Sequence, residues 1–326
     1  QNFTWEKVGT INVGLDVNLF NNRLSGVFEW YQRNTNGMLA PGVQLPAVVG
    51  ASAPYQNTAD MRTRGWELSL NWRDQIGKVG YRIGFNLSDY KSEIIKYDDN
   101  AATKLLSSYY PGQTLGEIWG YIVDGYYTVD DFVDTSSWQL KEGVTSINGY
   151  NVRPGDVKFK NLRDDDTSTN VITSGDNTFD NPGDRKVIGN TTPRYQYGIN
   201  LGMNYAGFDL NVILQGTGKR DYWISNVLTF PMNGDNFVPL FEGLSDYWMP
   251  KDPDNGDWSA VNPNAKYPRI YGNRGNSGSN LRQSDKYLSD ASYLRIKNIT
   301  LSYKLPKKWV NQIFLNQMKA FVSIEN

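Results

Sequence analysis

The sequence of 326 residues contains no cysteine and no histidine. Without cysteine, the chain can form neither disulfide bonds nor a thiolate metal site. Without histidine, it lacks the commonest general base and the commonest side-chain metal ligand. Catalysis would have to use carboxylate, lysine or tyrosine groups, and no pair of carboxylates is marked as buried or held at a useful separation. We therefore predict a protein that is not an enzyme and that uses neither a cofactor nor a metal ion.

Long apolar runs and a strong net charge are also missing. No stretch of about 18 apolar residues is present, so no transmembrane helix is predicted. The net charge of −1 gives no reason to expect a nucleic acid as partner. The first residues, "QNFTWEKVGT", include no apolar leader, and the last, "KAFVSIEN", stop within an alternating pattern. We expect the chain to be an internal piece of a longer protein.

The sequence does contain a strict two-residue alternation, which is clearest from Tyr195 to Tyr205. Every second residue there is large and apolar, whereas the residues between are Gly, Asn or Gln. Because side chains of a strand point alternately to opposite faces, this pattern predicts a strand with one apolar face. A change of phase at Lys297 and Asn298 predicts a β-bulge. The eight segments predicted as strands are 11–19, 24–30, 66–72, 81–87, 195–205, 210–214, 294–303 and 318–324.

The connections between these strands alternate between short and long. The short ones are 20–23, 75–79, 206–208 and 305–316, and the long ones are 35–63, 92–192 and 223–290. Short turns at one end and long loops at the other are typical of outer-membrane β-barrels, whose apolar faces contact lipid and whose polar faces line a hydrated lumen. Short helices are predicted in the long loops near 130–142 and 240–248. A soluble β-sandwich, in which the apolar faces form a shared core, stays open as the alternative.

Five segments resemble the C-terminal half of SusC/RagA-type TonB-linked outer-membrane proteins: "NTADMRTRGWELSLNW" (57–72), "GEIWGYIVDGYY" (116–127), "PGDVKFKNL" (154–162), "IGNTTPRYQYGINLGMNYAGFDLNVILQG" (188–216) and "YLRIKNITLSYKLPKKW" (293–309). The resemblance implies an all-β fold in the outer membrane of Bacteroidetes-type bacteria. This fold is an antiparallel transmembrane segment of about eight strands from a 22-stranded plugged barrel with long extracellular loops. Residues 1–326 would form part of its C-terminal half, roughly strands 14 to 21, without the plug, the TonB box and the final strand.

The resemblance also implies a function. Proteins of this type import oligosaccharides or peptides actively, with energy delivered through TonB and with a SusD-like surface lipoprotein as partner. A dimer of transporter–lipoprotein pairs is compatible with the resemblance. Two alternatives of other classes stay open from the residues alone. One is an outer-membrane adhesin, an eight-stranded barrel closed by pairing 10–19 with 317–325, and the other is a soluble carbohydrate-binding β-domain.

The long loops carry the candidate binding residues. Aromatic rings there could stack on sugars or pack on a peptide, and they could equally anchor the loops or contact the lipoprotein. Turn signals near four of these residues favour them over the adjacent tyrosines of 107–113. The predicted ligand or lipoprotein contacts are Trp119, Tyr121, Tyr247 and Trp248, followed by Tyr109, Tyr110 and Arg269.

The first long loop also contains an acidic segment, 163–184. Calcium takes several carboxylate and carbonyl oxygens, so the segment invites comparison with a calcium loop. Asp164, Asp165 and Asp166 are consecutive, however, and no glycine occupies the sharp-turn position. We interpret the segment as a solvated loop.

Overall fold

Eight long strands form one antiparallel sheet in chain order. The computed structural model of the chain describes residues 4–42, 48, 50, 54–100, 102–105, 109–163, 170–224, 240–271 and 278–326. The strands are β1 (Lys7–Leu19), β2 (Leu24–Pro41), β3 (Tyr55–Ile76), β4 (Val79–Tyr97), β5 (Arg194–Tyr205), β6 (Phe208–Lys219), β7 (Tyr293–Lys304) and β8 (Lys319–Glu325). The eight predicted strands and the all-β fold class are therefore confirmed.

The pairing register sorts the side chains of the whole sheet onto two faces. Ile199 of β5 lies opposite Phe85 of β4 and Leu214 of β6. Gly202 belongs to the other face of β5 and lies opposite Asn211 of β6. Because side chains alternate along each strand, the same register places the large apolar residues together on one face and most polar residues on the other. We call these the apolar face and the polar face.

The apolar face is not covered by other described parts of the chain. Leu201 of β5 is 39% exposed and Leu301 of β7 is 48% exposed. A continuous apolar surface that extends across several strands marks contact with lipid or with another protein. In a β-sandwich these side chains would be buried against a second sheet, so the sandwich alternative is wrong for this sheet.

The two edges of the sheet are β1 and β8, and the six other strands lie between them. An eight-stranded adhesin barrel would require β1 and β8 to pair with each other. Within the described residues they do not pair, so the self-closed barrel is wrong as well.

Left-handed residues shape two of the short turns. In the β1–β2 turn, Asn21 and Asn22 have φ values of 54° and 62°. Asparagine tolerates this region better than most residues. In the β5–β6 turn, Gly207 has a φ of 90°, and glycine adopts it without steric cost. These turns reverse the chain tightly, as the short connections predicted.

The predicted bulge in β7 is confirmed. Ile213 of β6 lies opposite Asn298, but the next residue, Leu214, lies opposite Ile296. Lys297 is thus the extra residue. The bulge keeps the large apolar residues before and after it on the same face.

Three strands extend further towards the long loops than predicted. β2 ends at Pro41, β3 begins at Tyr55 and β4 ends at Tyr97. The predicted loop 35–63 is therefore wrong in its bounds, because the connection spans only 42–54. In these extensions polar residues occupy both faces, so the alternation that marks the strands elsewhere is lost.

The connections contain only short elements where they are described. The strands are Glu117–Tyr121, Val123–Tyr126, Ser146–Ile147, Val157–Phe159, Val171–Ile172, Arg185–Asn190, Asp221–Trp223, Pro250–Asp252, Asp257–Ala260 and Leu288–Asp290. The helices are Asp98–Asn100, Val129–Asp131, Glu242–Leu244, Pro253–Asn255, Asp285–Tyr287, Lys307–Val310 and Asn311–Ile313. The helices predicted near 130–142 and 240–248 thus amount to one turn each. In the described part of the chain, no helix has the length and apolarity to span a membrane.

Candidate functional site: the outer loop assembly

The two longest connections fold around hydrophobic cores of their own. We call their described residues, within 98–193 and 220–292, the outer loop assembly. Burial of these side chains gives the connections a fixed shape, so they are folded units and not extended loops. The core of the first comprises Tyr121, Tyr127, Phe132, Ile147, Val152, Val157, Phe159 and Ile172, and that of the second comprises Leu244, Tyr267 and Tyr287.

A buried carboxylate, Asp156, joins the two connections. Its side chain is hydrogen-bonded by the Tyr271 hydroxyl at 2.6 Å, by the Asn280 amide at 2.9 Å and by the Arg153 backbone N–H at 2.8 Å. Asn280 also accepts a hydrogen bond from the Val157 backbone N–H at 2.8 Å. Both carboxylate oxygens therefore have partners, as a buried charged group requires.

We call Asp156 and its hydrogen-bond partners Tyr271, Asn280 and Arg153 the hub. The pKa values of its titratable groups follow from their burial. Burial raises the pKa of Asp156 above its usual value, although its three hydrogen bonds and the nearby Arg269 act in the opposite direction. Burial and the neighbouring carboxylate raise the pKa of Tyr271. Tyr271 consequently remains a neutral hydrogen-bond donor, which suits a structural link between the loops.

Further hydrogen bonds cross between the same two connections. The Tyr126 hydroxyl donates to the Ala265 carbonyl at 2.9 Å. The Tyr121 backbone N–H donates to the Gln283 carbonyl at 2.9 Å. The outer loop assembly is therefore one interlocked structure and not two independent loops.

Two of the predicted contact residues meet at a glycine. Gly155 has a φ of +89°, and a Cβ atom there would lie 2.3 Å from the ring of Trp248. The Gly155 carbonyl accepts a hydrogen bond from the Arg269 backbone N–H at 2.8 Å. The Arg269 guanidinium lies 4.9 Å from the ring centres of both Trp258 and Tyr271. Trp248 and Arg269 thus help to lock the hub in place.

A second group of predicted contacts surrounds a different carboxylate, Glu117. The Trp119 indole N–H donates to it at 2.8 Å, and the Tyr110 hydroxyl also donates to it. The Thr114 backbone N–H lies 3.2 Å from the other carboxylate oxygen. Burial raises the pKa of Glu117. Trp119 and Tyr110 are therefore engaged in anchoring the base of the first connection.

The seven predicted contact residues differ widely in exposure. Tyr109 is 49% exposed and meets Tyr97 edge-on, with ring centres 5.7 Å apart. Tyr247 and Arg269 are half-buried. The four buried members of the set are Tyr110, Trp119, Tyr121 and Trp248.

These exposures change the order in which the candidates are considered. A buried ring has no accessible face for a ligand in this conformation, and Trp119, Tyr121 and Trp248 are buried whereas Tyr109 is exposed. Ligand or lipoprotein contact by any of the seven stays a prediction. Three exposed rings of the described outer loop assembly, Tyr222 at 48%, Phe179 at 46% and Phe241 at 40%, were not among the candidates. No repeated pattern in the sequence separates them from the buried rings.

The predicted solvated acidic loop lies partly outside the described residues, because 164–169 are not described. Among the residues that the structure describes, no group of three or more acidic side chains is placed to hold a metal ion. The interpretation of 163–184 as a loop without calcium stays a prediction.

The polar face of the sheet forms the second part of the candidate site. Glu29 of β2 lies directly opposite Glu67 of β3. Arg82 donates a hydrogen bond to Asn211 at 3.2 Å and lies 3.8 Å from the carboxylate of Asp209. Such a charged and hydrogen-bonding wall is suited to contact with water and polar solutes.

An eight-stranded open sheet with one exposed apolar face, one polar face and large loop structures at one end is a segment of an outer-membrane β-barrel. Comparison with protein-family models gives no match. The chain is 27% identical over its whole length to TonB-dependent receptor P3 of Formosa agariphila and covers 30% of that receptor. It is 24% identical to TonB-dependent receptor SusC of Bacteroides thetaiotaomicron, with 96% of this chain and 27% of SusC covered.

The fold is similar to that of solved structures as well. A chain in the structure of the RagAB peptide importer in its "closed-closed" state superimposes with a TM-score of 0.70 and 22% identity, over 99% of this chain and 32% of that chain. The chain spans less than a third of the length of each of these proteins. The similarities confirm the resemblance to SusC/RagA-type TonB-linked proteins and the location in the outer membrane. They also confirm the prediction of a protein that is not an enzyme, because these relatives are named as receptors and importers.

Proposed function

We propose that this chain is part of a TonB-energised importer that moves oligosaccharides or peptides across the outer membrane. The observation that carries the proposal is the two-faced sheet, because an apolar outer face and a polar inner face suit a lipid-embedded wall around a hydrated path. The relatives named as TonB-dependent receptors and as a peptide importer support the same function.

In this proposal residues 1–326 belong to the C-terminal half of the barrel, and β1 and β8 pair with strands outside this chain. The outer loop assembly forms the vestibule on the cell surface, where a SusD-like lipoprotein rests on it. The exposed rings at Tyr109, Phe179, Tyr222 and Phe241 then take the first place among ligand or lipoprotein contacts, because a ring must be accessible at the surface in order to stack on a ligand.

Growth of the native bacterium tests the proposal. Deletion of the gene that encodes the full-length protein should abolish growth on one nutrient class, either oligosaccharides or peptides, and leave growth on free monosaccharides and amino acids intact. The intact gene should restore growth, whereas a version without its TonB-binding segment should not. Undiminished growth of the deletion strain on both polymer classes would contradict importer function.

Co-purification tests the partner separately. The tagged full-length protein should retain a surface lipoprotein in mild detergent. Removal of the outer loop assembly, with the sheet left in place, should abolish this retention. If the shortened protein retains the lipoprotein, the contact lies elsewhere.

A further inference from the structure

The apolar face carries a cluster of cations at its long-loop end. Arg64 of β3 and Lys91 of β4 are directly opposite each other in the register, and both are exposed. Arg62 follows as the next residue of β3 on the same face. The Cβ atoms of directly opposite residues are about 5 Å apart, and like charges in this position repel each other. The arrangement therefore favours an anion close to both side chains.

No carboxylate of the described residues forms an ion pair with these cations. Arg64 donates from Nε to the amide oxygen of Gln32 at 2.7 Å, and Arg62 donates from Nε to the amide oxygen of Asn34 at 3.2 Å. Both partners are neutral. Within the described residues, neither arginine nor Lys91 has a carboxylate oxygen within ion-pair distance.

The nearest carboxylates have other roles. Asp89, two residues before Lys91, pairs with Arg194. Glu117 accepts hydrogen bonds from Tyr110 and Trp119. Glu93 lies opposite Arg62 in the register but forms no ion pair with it among the described residues. Lys91 is close enough to Glu117 to act on the pKa of that carboxyl, but Arg64 and Lys91 form no ion pair within the described residues.

The position of the cluster relative to the lipid headgroups identifies the anion. Two residues after Arg64, towards the short-turn end of β3, Trp66 lies on the same face and opposite Trp30 of β2. Tryptophan rings of membrane proteins concentrate at the level of the lipid headgroups. Successive residues on one face of a strand are about 7 Å apart, so Arg64 and Lys91 project just outside this level.

We propose that Arg64 and Lys91, with Arg62 beside them, bind the phosphate group of an anionic lipid of the outer leaflet. The proposal rests on the location of the apolar face in lipid. An arginine fork matches the oxygens of a phosphate group, and a lysine ammonium adds a compact charge. The described hydrogen bond of Arg64 uses Nε, which leaves its two Nη groups for the phosphate oxygens. The bound lipid would relieve the repulsion between the two strands.

Lipid binding by the purified full-length protein tests this site. The probes are lipid A with its phosphate groups and the same lipid after removal of the phosphates, and binding is measured by native mass spectrometry. The wild type should bind the phosphorylated lipid more tightly. The double variant Arg64→Gln/Lys91→Gln should lose affinity for it by about fivefold per charge, or about 25-fold in total. Affinity for the dephosphorylated lipid should not change.

Arg33→Gln is the matched control. Arg33 is also exposed and lies at the same end of β2, but it pairs with Thr63 on the polar face. This variant should bind the phosphorylated lipid like the wild type. If the folded double variant is obtained in low yield, two single variants replace it. Arg64→Lys retains the charge without the fork, and it should lose less affinity for the phosphorylated lipid than Arg64→Gln.

Four outcomes would overturn the site. They are unchanged binding by the double variant, an equal loss in Arg33→Gln, equal affinity of the wild type for the two lipids, and binding of inorganic phosphate as tight as that of the lipid. Retention of lipid does not depend on transport. Failure of the site and failure of importer function are therefore separate results.

Discussion

In the eight-stranded sheet, Leu201 and Leu301 leave 39% and 48% of their surface exposed, whereas in the outer loop assembly Tyr127 and Phe159 are completely buried. The sheet is held together by strand pairing and turns its hydrophobic side chains outwards. The loop assembly turns its hydrophobic side chains inwards and places Asp156 among them. One chain therefore follows the rules of a lipid environment in one region and those of water in the other.

The comparison also explains why most of the aromatic candidates in the loops are buried. Trp30 and Trp66 lie on the outer face of the sheet, where a membrane boundary suits their rings. Trp119 and Trp248 lie in a water-exposed structure, where burial is the more stable state for a large ring. The same residue type thus serves as a membrane anchor in one region and as a core residue in the other.

Truncation of a buried ring should have the largest effect. Trp248→Ala removes a side chain that is 3% exposed, and we expect it to destabilise the outer loop assembly by about 3–5 kcal/mol. Tyr109→Ala, at an exposed ring, should cost about 0.5 kcal/mol or less. Hydrogen exchange of the amides of 121–127 in the full-length protein measures both. Similar effects of the two substitutions would show that Trp248 does not hold the assembly together.

A charge on the apolar face should have the next largest effect. Leu201→Arg should lower the free energy of unfolding in lipid vesicles by about 2–4 kcal/mol, because it places a cation in the hydrocarbon. Asn200→Arg, one residue away on the polar face, should have little effect, because its side chain meets water. Denaturant titration in vesicles gives both values. Equal losses would mean that lipid does not cover the apolar face.

The smallest effect should be a pH dependence at the hub. Because burial raises the pKa of Asp156, the folded loop assembly binds a proton more readily than the unfolded chain does. The contribution of Asp156 to stability is therefore fully present below the unfolded pKa of about 3.9 and is lost as the pH rises through the raised value.

Asp156→Asn should remove this contribution. Hydrogen exchange of 121–127, corrected for the intrinsic exchange rate at each pH, should show a flatter stability profile for the variant than for the wild type. Parallel profiles would mean that Asp156 does not titrate over this range.

The sheet could be predicted from the sequence because lipid imposes a regular pattern on it. The alternation from Tyr195 to Tyr205 exists because one face must be apolar, and the bulge at Lys297 is visible because it shifts that pattern. The part of β3 nearest the long loops could not be predicted in the same way. Arg62 and Thr63 point to opposite faces, yet both are polar, so the sequence shows no alternation at that height.

The outer loop assembly could be predicted only as two long connections with many aromatic residues. Its cores form between residues that are distant in sequence and follow no period. The burial of Trp119 depends on Glu117 and Tyr110, and that of Trp248 depends on the left-handed backbone of Gly155. Such contacts are set by tertiary structure, and no local pattern distinguishes an anchoring ring from an exposed one.

The hub at Asp156 has a consequence for the order in which the protein folds. Asp156 and Asn280 are 124 residues apart in sequence, and the β5–β6 hairpin lies between them. Contacts over such distances form slowly, because the entropy of closing the intervening loop opposes them. Pairing of the hairpin with β4 brings the two connections side by side and removes most of that cost. The core of the first connection, which lies within 121–172, is local and forms early. The long-loop end of the molecule is therefore completed last, and a chain that stalls before β7 is added leaves the outer loop assembly unfinished.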